Sequence, residues 1–157
     1  MHARMTNPAY LVPEAGRAIQ SLMQAMAKDM ADGVVPASTL MLAAMRGSQI
    51  NGGSACLYAD AAEARKAGVT DDQMNAVAAW RQSPFFTDAE RAALALAEAA
   101  TRMNDRSDAA IPDAVWDGLV EHYDERQRAT LILWTATSNL FNTINNIIND
   151  PAGTTWN

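Results

Sequence analysis

One thiol and one carboxylate stand four residues apart in the segment Gly53-Ser54-Ala55-Cys56-Leu57-Tyr58-Ala59-Asp60. On a helix, steps of three and four residues return to one face, so Gly53, Cys56 and Asp60 share an edge. A thiolate on that edge would be a nucleophile, but a carboxylate one turn away disfavours it and raises the thiol pKa. Cys56 therefore reads either as a one-cysteine peroxidatic thiol or as a small buried hydrophobe. Asp60 lies among small and apolar residues. Ala59, Ala61 and Ala62 flank it, and Met41, Ala43, Ala44, Met45 and Gly47 come from the preceding segment. A carboxylate facing an apolar pocket is a stronger base, which suits proton abstraction from a small apolar substrate. The bland alternative is a solvated or hydrogen-bonded aspartate. Methionines at helical spacing either line such a pocket or fill core. His2 and His122 have no ligand spacing with each other or with Cys56, so no metal is expected, and no cofactor motif stands out.

Helices must position these residues, because helical spacing recurs almost throughout and strand-like alternation is missing. Seven are expected. The first runs from Pro13 to Ala31, with Ile19, Leu22, Met23, Met26 and Met30 on one face and Gly33 as its stop. The second starts at Pro36 and ends near Asn51-Gly52. The third starts at Gly53 or Ser54 and stops at Gly68. Thr70 caps a short fourth helix through Trp80. After Ser83-Pro84, Thr87-Asp88-Ala89-Glu90 reads as a capping box for a fifth helix to about Met103. A polar loop over Asn104 to Ala110 precedes a sixth helix, opened by Pro112 or Asp113 and carrying Val115, Trp116, Leu119 and Val120. The seventh starts near Glu125, is most apolar from Ala129 to Ile148, and ends at Pro151-Ala152-Gly153. Trp80, Trp116 and Trp134 read as packing residues, Trp156 falls in the tail, and Glu63 and Arg65 as solvent-facing. The linkers are short, so residues 1–157 read as one helical domain.

Composition narrows the function classes. The chain has 157 residues, 49% of them apolar, and a net charge of -6. Its pI is near 4.7 and no Lys/Arg cluster occurs, which argues against a nucleic-acid partner. No apolar run is long enough for a membrane span, and Met1 to Tyr10 contains no secretory signal. A lone cysteine makes no intrachain disulfide, and a cytoplasmic location is expected.

The segment Arg46-Gly47-Ser48-Gln49-Ile50-Asn51-Gly52-Gly53-Ser54-Ala55-Cys56 resembles the core of the alkylhydroperoxidase D-like branch of the carboxymuconolactone decarboxylase superfamily. That core reads R-A-S-Q-I-N-G-C-x-x-C-x-x-x-H. The resemblance continues through Ala64 to Gly68, Trp80 to Pro84, Phe86 to Ala99 and Asn139-Leu140-Phe141-Asn142, and so covers most of the chain. It implies an all-α, alkylhydroperoxidase D-like helical bundle that assembles as a homo-oligomer, trimeric or hexameric. It also implies a peroxidase centre of two cysteines, a histidine on the same helical face, and a relay glutamate twelve residues before the first cysteine. Here the first cysteine is Gly53, the histidine is Asp60 and the glutamate is Met41. Only Cys56 remains, so the disulfide-forming cycle cannot close within the chain.

The resulting expectation is a divergent or engineered member of this group. Its pocket is made from Met41, Ala44, Met45, Gly53 and Ala59, with Asp60 as general base for proton transfer or elimination on a small apolar molecule. The alternatives are a non-catalytic oligomeric ligand-binding protein and a residual hydroperoxide reductase using Cys56. Oligomerisation follows from the resemblance and from a last helix too apolar for one small domain to cover. Light scattering at micromolar concentration should give a trimer or a multiple of it; a mass near 16.9 kDa would contradict this.

Overall fold

The computed structural model describes residues 2–106 and 110–154; Trp156 and part of the polar loop after Asn104 lie outside them. The described residues form eight α-helices and two 3-10 segments, with no strand. The helices are α1 (Pro8–Leu11), α2 (Pro13–Ala31), α3 (Ala37–Asn51), α4 (Ser54–Lys66), α5 (Asp71–Ala76), α6 (Asp88–Thr101), α7 (Asp113–His122) and α8 (Glu125–Ile148). The 3-10 segments are Val77–Gln82 and Met103–Asp105. None of the described helices is long and apolar enough to cross a membrane.

Local chemistry sets most boundaries. Thr87 and Glu90 form the expected capping box, each bonding the other's backbone N–H. Thr70 with Gln73 and Asp124 with Gln127 start α5 and α8 in the same way. Pro13 opens α2, where a missing N–H is harmless.

Four expectations need correction. A short α1 precedes α2; Asn7 caps it and Pro8 occupies its first position. The fourth helix does not stay α-helical to Trp80. It tightens to 3-10 from Val77, which puts the buried Val77 and Trp80, three residues apart, on the same side. The fifth helix stops at Thr101 and a 3-10 turn follows. Trp116 is not packed inside: it is exposed, with the Arg128 guanidinium 5.7 Å from its ring centre.

The bundle is organised around α3. Nine of its fifteen residues are buried, including Leu40, Met41, Leu42, Ala43, Ala44 and Met45 in succession, so no face is left for water. α4, α6 and α8 pack against it. One core cluster joins Met41, Leu42 and Met45 to Val77, Trp80 and Leu94; another joins Leu40 to Leu96, Leu119 and Leu131. By contrast, α2 buries only Met26, and Met23 on its apolar face is half exposed. Ile132, Leu133, Leu140 and Ile147 of α8 are also uncovered in the single chain.

Glu98 of α6 ties three segments together. Its Oε2 accepts from Arg46 Nε at 3.0 Å and Trp80 Nε1 at 3.2 Å, and its Oε1 accepts from Arg81 Nη1 at 2.9 Å. Burial alone would raise this carboxyl, but bonds from Arg46, Trp80 and Arg81 pull it down to about 2. The depressed pKa means its stabilisation is present above the ordinary carboxylate range and lost as pH falls toward 2. Glu98→Ala leaves Arg46 as a largely buried, unpaired cation. It should lower unfolding free energy by about 3–5 kcal/mol in urea melts at pH 7; a loss below about 1 kcal/mol would mean solvent screens the pair.

Candidate functional site

Gly52 turns the chain from α3 into α4 in the left-handed conformation, φ 65°, which glycine adopts without strain. This turn sets the start of α4 against the end of α3 and against α8. Cys56 and Asp60 then face a cavity of about 570 Å³ bounded by α2, α3, α4 and α8. Its wall is largely apolar: Met26, Met30, Met41, Ala44, Ala55, Ala59, Trp134 and Phe141 contribute to it. Glu63 lies at the wall with its side chain 57% exposed and paired to Lys66, and Asp150 approaches from beyond α8. No Lys, Arg or His is among the lining residues described.

Met41, Ala44, Ala59, Cys56 and Asp60 are thus brought together as expected. Met45 and Gly53 are not on the wall. Met45 points into the core beside Leu42, because α3 is buried all round and its successive residues cannot all face one cavity. Gly53 is buried for another reason: a Cβ on it would lie 1.9 Å from Asn142 Oδ1. The amide of Asn142 fills the space that a side chain at position 53 would need.

Three site residues, Ser48, Asn142 and Asn145, were not singled out from sequence. Ser48 Oγ donates to Asp60 Oδ2 at 2.7 Å, and Asn142 Nδ2 lies 3.0 Å from the same hydroxyl. Asn145 Nδ2 lies 3.2 Å from Cys56 Sγ. The available signal was the recurrence of asparagine at 139, 142 and 145 along the most apolar helix. Asparagine is a poor helix former, and such repetition at one face calls for buried partners. Two further polar atoms on cavity-lining residues, Trp134 Nε1 and Asn145 Oδ1, have no hydrogen-bond partner.

Burial pushes the Asp60 carboxyl up to about 6, against the lowering effect of the Ser48 bond. Burial also pushes the Cys56 thiol up; the Asn145 bond opposes this, and Asp60 and Asp150 add to it. The site therefore offers a base poised near neutrality beside a thiol held protonated.

The carboxymuconolactone decarboxylase family profile matches residues 13–99, more than half of the chain. The Bacillus subtilis protein YdfG is 32% identical over 123 residues, spanning 78% of this chain and 82% of YdfG. YnjA of Escherichia coli is 36% identical over 83 residues, spanning 53% of this chain and 43% of YnjA. Among solved structures, ATU0492 of Agrobacterium tumefaciens, described as a candidate antioxidant defence protein AhpD, has a TM-score of 0.85 and 25% identity, covering 98% of this chain and 100% of that one. The debrominase Bmp8 shares the fold, with a TM-score of 0.77 and 23% identity over 93% of this chain and 75% of its own. A cysteine-to-alanine variant of Bmp8 in complex with 2,3,4-tribromopyrrole gives 0.73 and 24%, over 88% and 70%.

Because the folded pKa of Asp60, about 6, exceeds the ordinary 3.8, ionising it costs more in the fold than in the unfolded chain. Its favourable contribution is complete below the ordinary value and is lost as pH rises through about 6. Asp60→Asn should therefore gain stability over the wild type between about pH 4 and pH 8, by on the order of 1–3 kcal/mol. Melts across that range test this; a difference that does not change with pH would show the carboxylate to be well solvated.

Proposed function

This chain belongs to the carboxymuconolactone decarboxylase family, and from that premise we propose that it is a divergent enzyme in which Asp60 is the general base. The paired thiols of the resembling peroxidases are gone, so the chemistry passes to the carboxylate. One observation carries the reading: Asp60 lines an apolar cavity of about 570 Å³ with a carboxyl raised to about 6. A base with that pKa is ionised at pH 7 and is stronger than an ordinary carboxylate, so it takes a proton from carbon or nitrogen more readily. The cavity wall carries Asp60, Glu63 and Asp150 and no described cation, which disfavours anionic substrates. The substrate is thus a small, neutral, largely apolar molecule whose acidic proton lies next to an electron-withdrawing group or a leaving group. We further propose that the uncovered α8 residues Ile132, Leu133, Leu140 and Ile147 pack against further copies of the chain.

A second reading keeps some support, because Cys56 shares the cavity and receives the Asn145 bond. It is a one-cysteine hydroperoxide reductase drawing on an external reductant. The raised thiol pKa weakens it.

Enolisable ketones and lactones in deuterated buffer, followed by NMR for loss of the acidic proton, provide the direct assay. 2,3,4-Tribromopyrrole, the ligand of the Bmp8 variant, is an apolar binding probe with one N–H donor. Turnover should rise with pH through about 6 and then level off, following ionisation of Asp60. Asp60→Asn should lower it by about 10²–10⁴-fold without changing the assembly. If Asp60→Asn is fully active, or if only hydroperoxide turnover is seen and Cys56→Ser removes it, the base assignment is wrong.

A further inference from the structure

We propose that Ser48 and Asn142 are positioning residues that give Asp60 a fixed polarity: Oδ2 is held as a permanent acceptor, and Oδ1 is the oxygen that exchanges a proton with the bound molecule. The proposal rests on the reading of Asp60 as the proton-transfer group and specifies which of its atoms acts.

The orientation of the Asn142 amide is set from its nitrogen side, its Oδ1 having no hydrogen-bond partner. Its Nδ2 lies 2.9 Å from the backbone oxygen of Ser138 and 3.0 Å from Ser48 Oγ. A carbonyl only accepts, so the group facing Ser138 must be the NH₂; the flipped amide would set two oxygens against each other. Ser48 Oγ therefore accepts a hydrogen bond from Asn142 Nδ2. A serine hydroxyl has one proton of its own to give, and Asp60 Oδ2 lies 2.7 Å away to receive it. The chain of bonds runs in one direction, from Asn142 to Ser48 to Asp60.

Water does not scramble this direction. Ser48 is 0% exposed and Asn142 is 1% exposed. Glycine at position 53 is part of the arrangement, since any larger residue there would displace the Asn142 amide. A carboxylate that receives a hydrogen bond at Oδ2 is protonated more easily at its other oxygen. The Ser48 bond also stabilises the ionised form, offsetting part of the burial that raises Asp60. The other titratable groups on the cavity wall are Cys56 and Glu63 from α4 and Asp150 from the segment after α8; the lining residues of α2 and α3 are Met23, Met26, Ala27, Met30, Met41 and Ala44, none of them charged.

The test is a side-chain carboxyl NMR titration of Asp60 in the full chain, which needs no substrate. In Ser48→Ala its midpoint should move up by about one to two pH units, the worth of one hydrogen bond to a charged group. Asn142→Ala should also raise it, by less, because a freed Ser48 hydroxyl can then accept from a protonated Asp60. The unaltered protein supplies a second readout should either variant fail to fold. The Asn142 side-chain amide signals should titrate with the Asp60 midpoint and become flat in Asp60→Asn. An unmoved midpoint in Ser48→Ala, or flat Asn142 signals in the wild type, overturns the proposal. These outcomes are independent of turnover, so they are distinguishable from a failure of Asp60→Asn to affect catalysis. Where catalysis is measured, the pH profile of Ser48→Ala should shift by the same amount as its midpoint.

Discussion

A helix buried on every side must satisfy its polar groups without water, and α3 is under that constraint. Its first half meets it with Leu40, Met41, Leu42 and neighbours that need no partners. Its second half carries Arg46, Ser48, Gln49 and Asn51; Gln49 Oε1 is left without a partner, and each of the other three has one on another helix. Arg46 goes to Glu98 of α6, Ser48 to Asp60 of α4 and Asn142 of α8, and Asn51 Nδ2 to Asn139 Oδ1 of α8 at 2.8 Å. Leaving such groups unpaired would cost about 1–3 kcal/mol each. The surrounding helices are therefore fixed in register by bonds to α3 as well as by apolar packing. Asp60 is one end of that network.

In the proposed mechanism the same residues serve structure and chemistry. A buried serine that needs a partner is satisfied by a carboxylate, and the carboxylate is held at the edge of an apolar cavity. The architecture needs no dithiol centre, because the apolar half of α3, the Glu98 clamp and the turn at Gly52 hold it without thiols. The departures from the centre of the resembling peroxidases lie where α3 meets α4, with Gly53, Asp60 and Met41 in place of the thiol, imidazole and carboxylate.

Most of the helix boundaries were legible because their causes are local. Pro13, Gly33, Gly52, Gly68 and the Thr87–Glu90 box act within a turn or two of where they sit, and the helices begin and end there. The exceptions have tertiary causes. Val77 to Gln82 tightens to 3-10 where Val77 and Trp80 enter the core and the Trp80 indole bonds Glu98, eighteen residues on. Trp116, expected inside, is exposed although Leu119, one turn on, is buried. In the site, Cys56, Asp60, Met41, Ala44 and Ala59 were legible from one-turn spacing and from resemblance. Ser48 and Asn142 were not: ninety-four residues separate them, and no periodicity reaches across that distance. Met45 was misplaced because position along an all-round apolar helix does not say which neighbour a side chain meets.

Gly53 and Asn142 also limit which substitutions this site accepts one at a time. A side chain placed at position 53 would fall 1.9 Å from the Asn142 amide oxygen, so it is admitted only if that amide swings aside. Removing the asparagine first takes from Ser48 its buried donor. The two positions are therefore coupled: a change at either is felt at Ser48 and, through it, at Asp60.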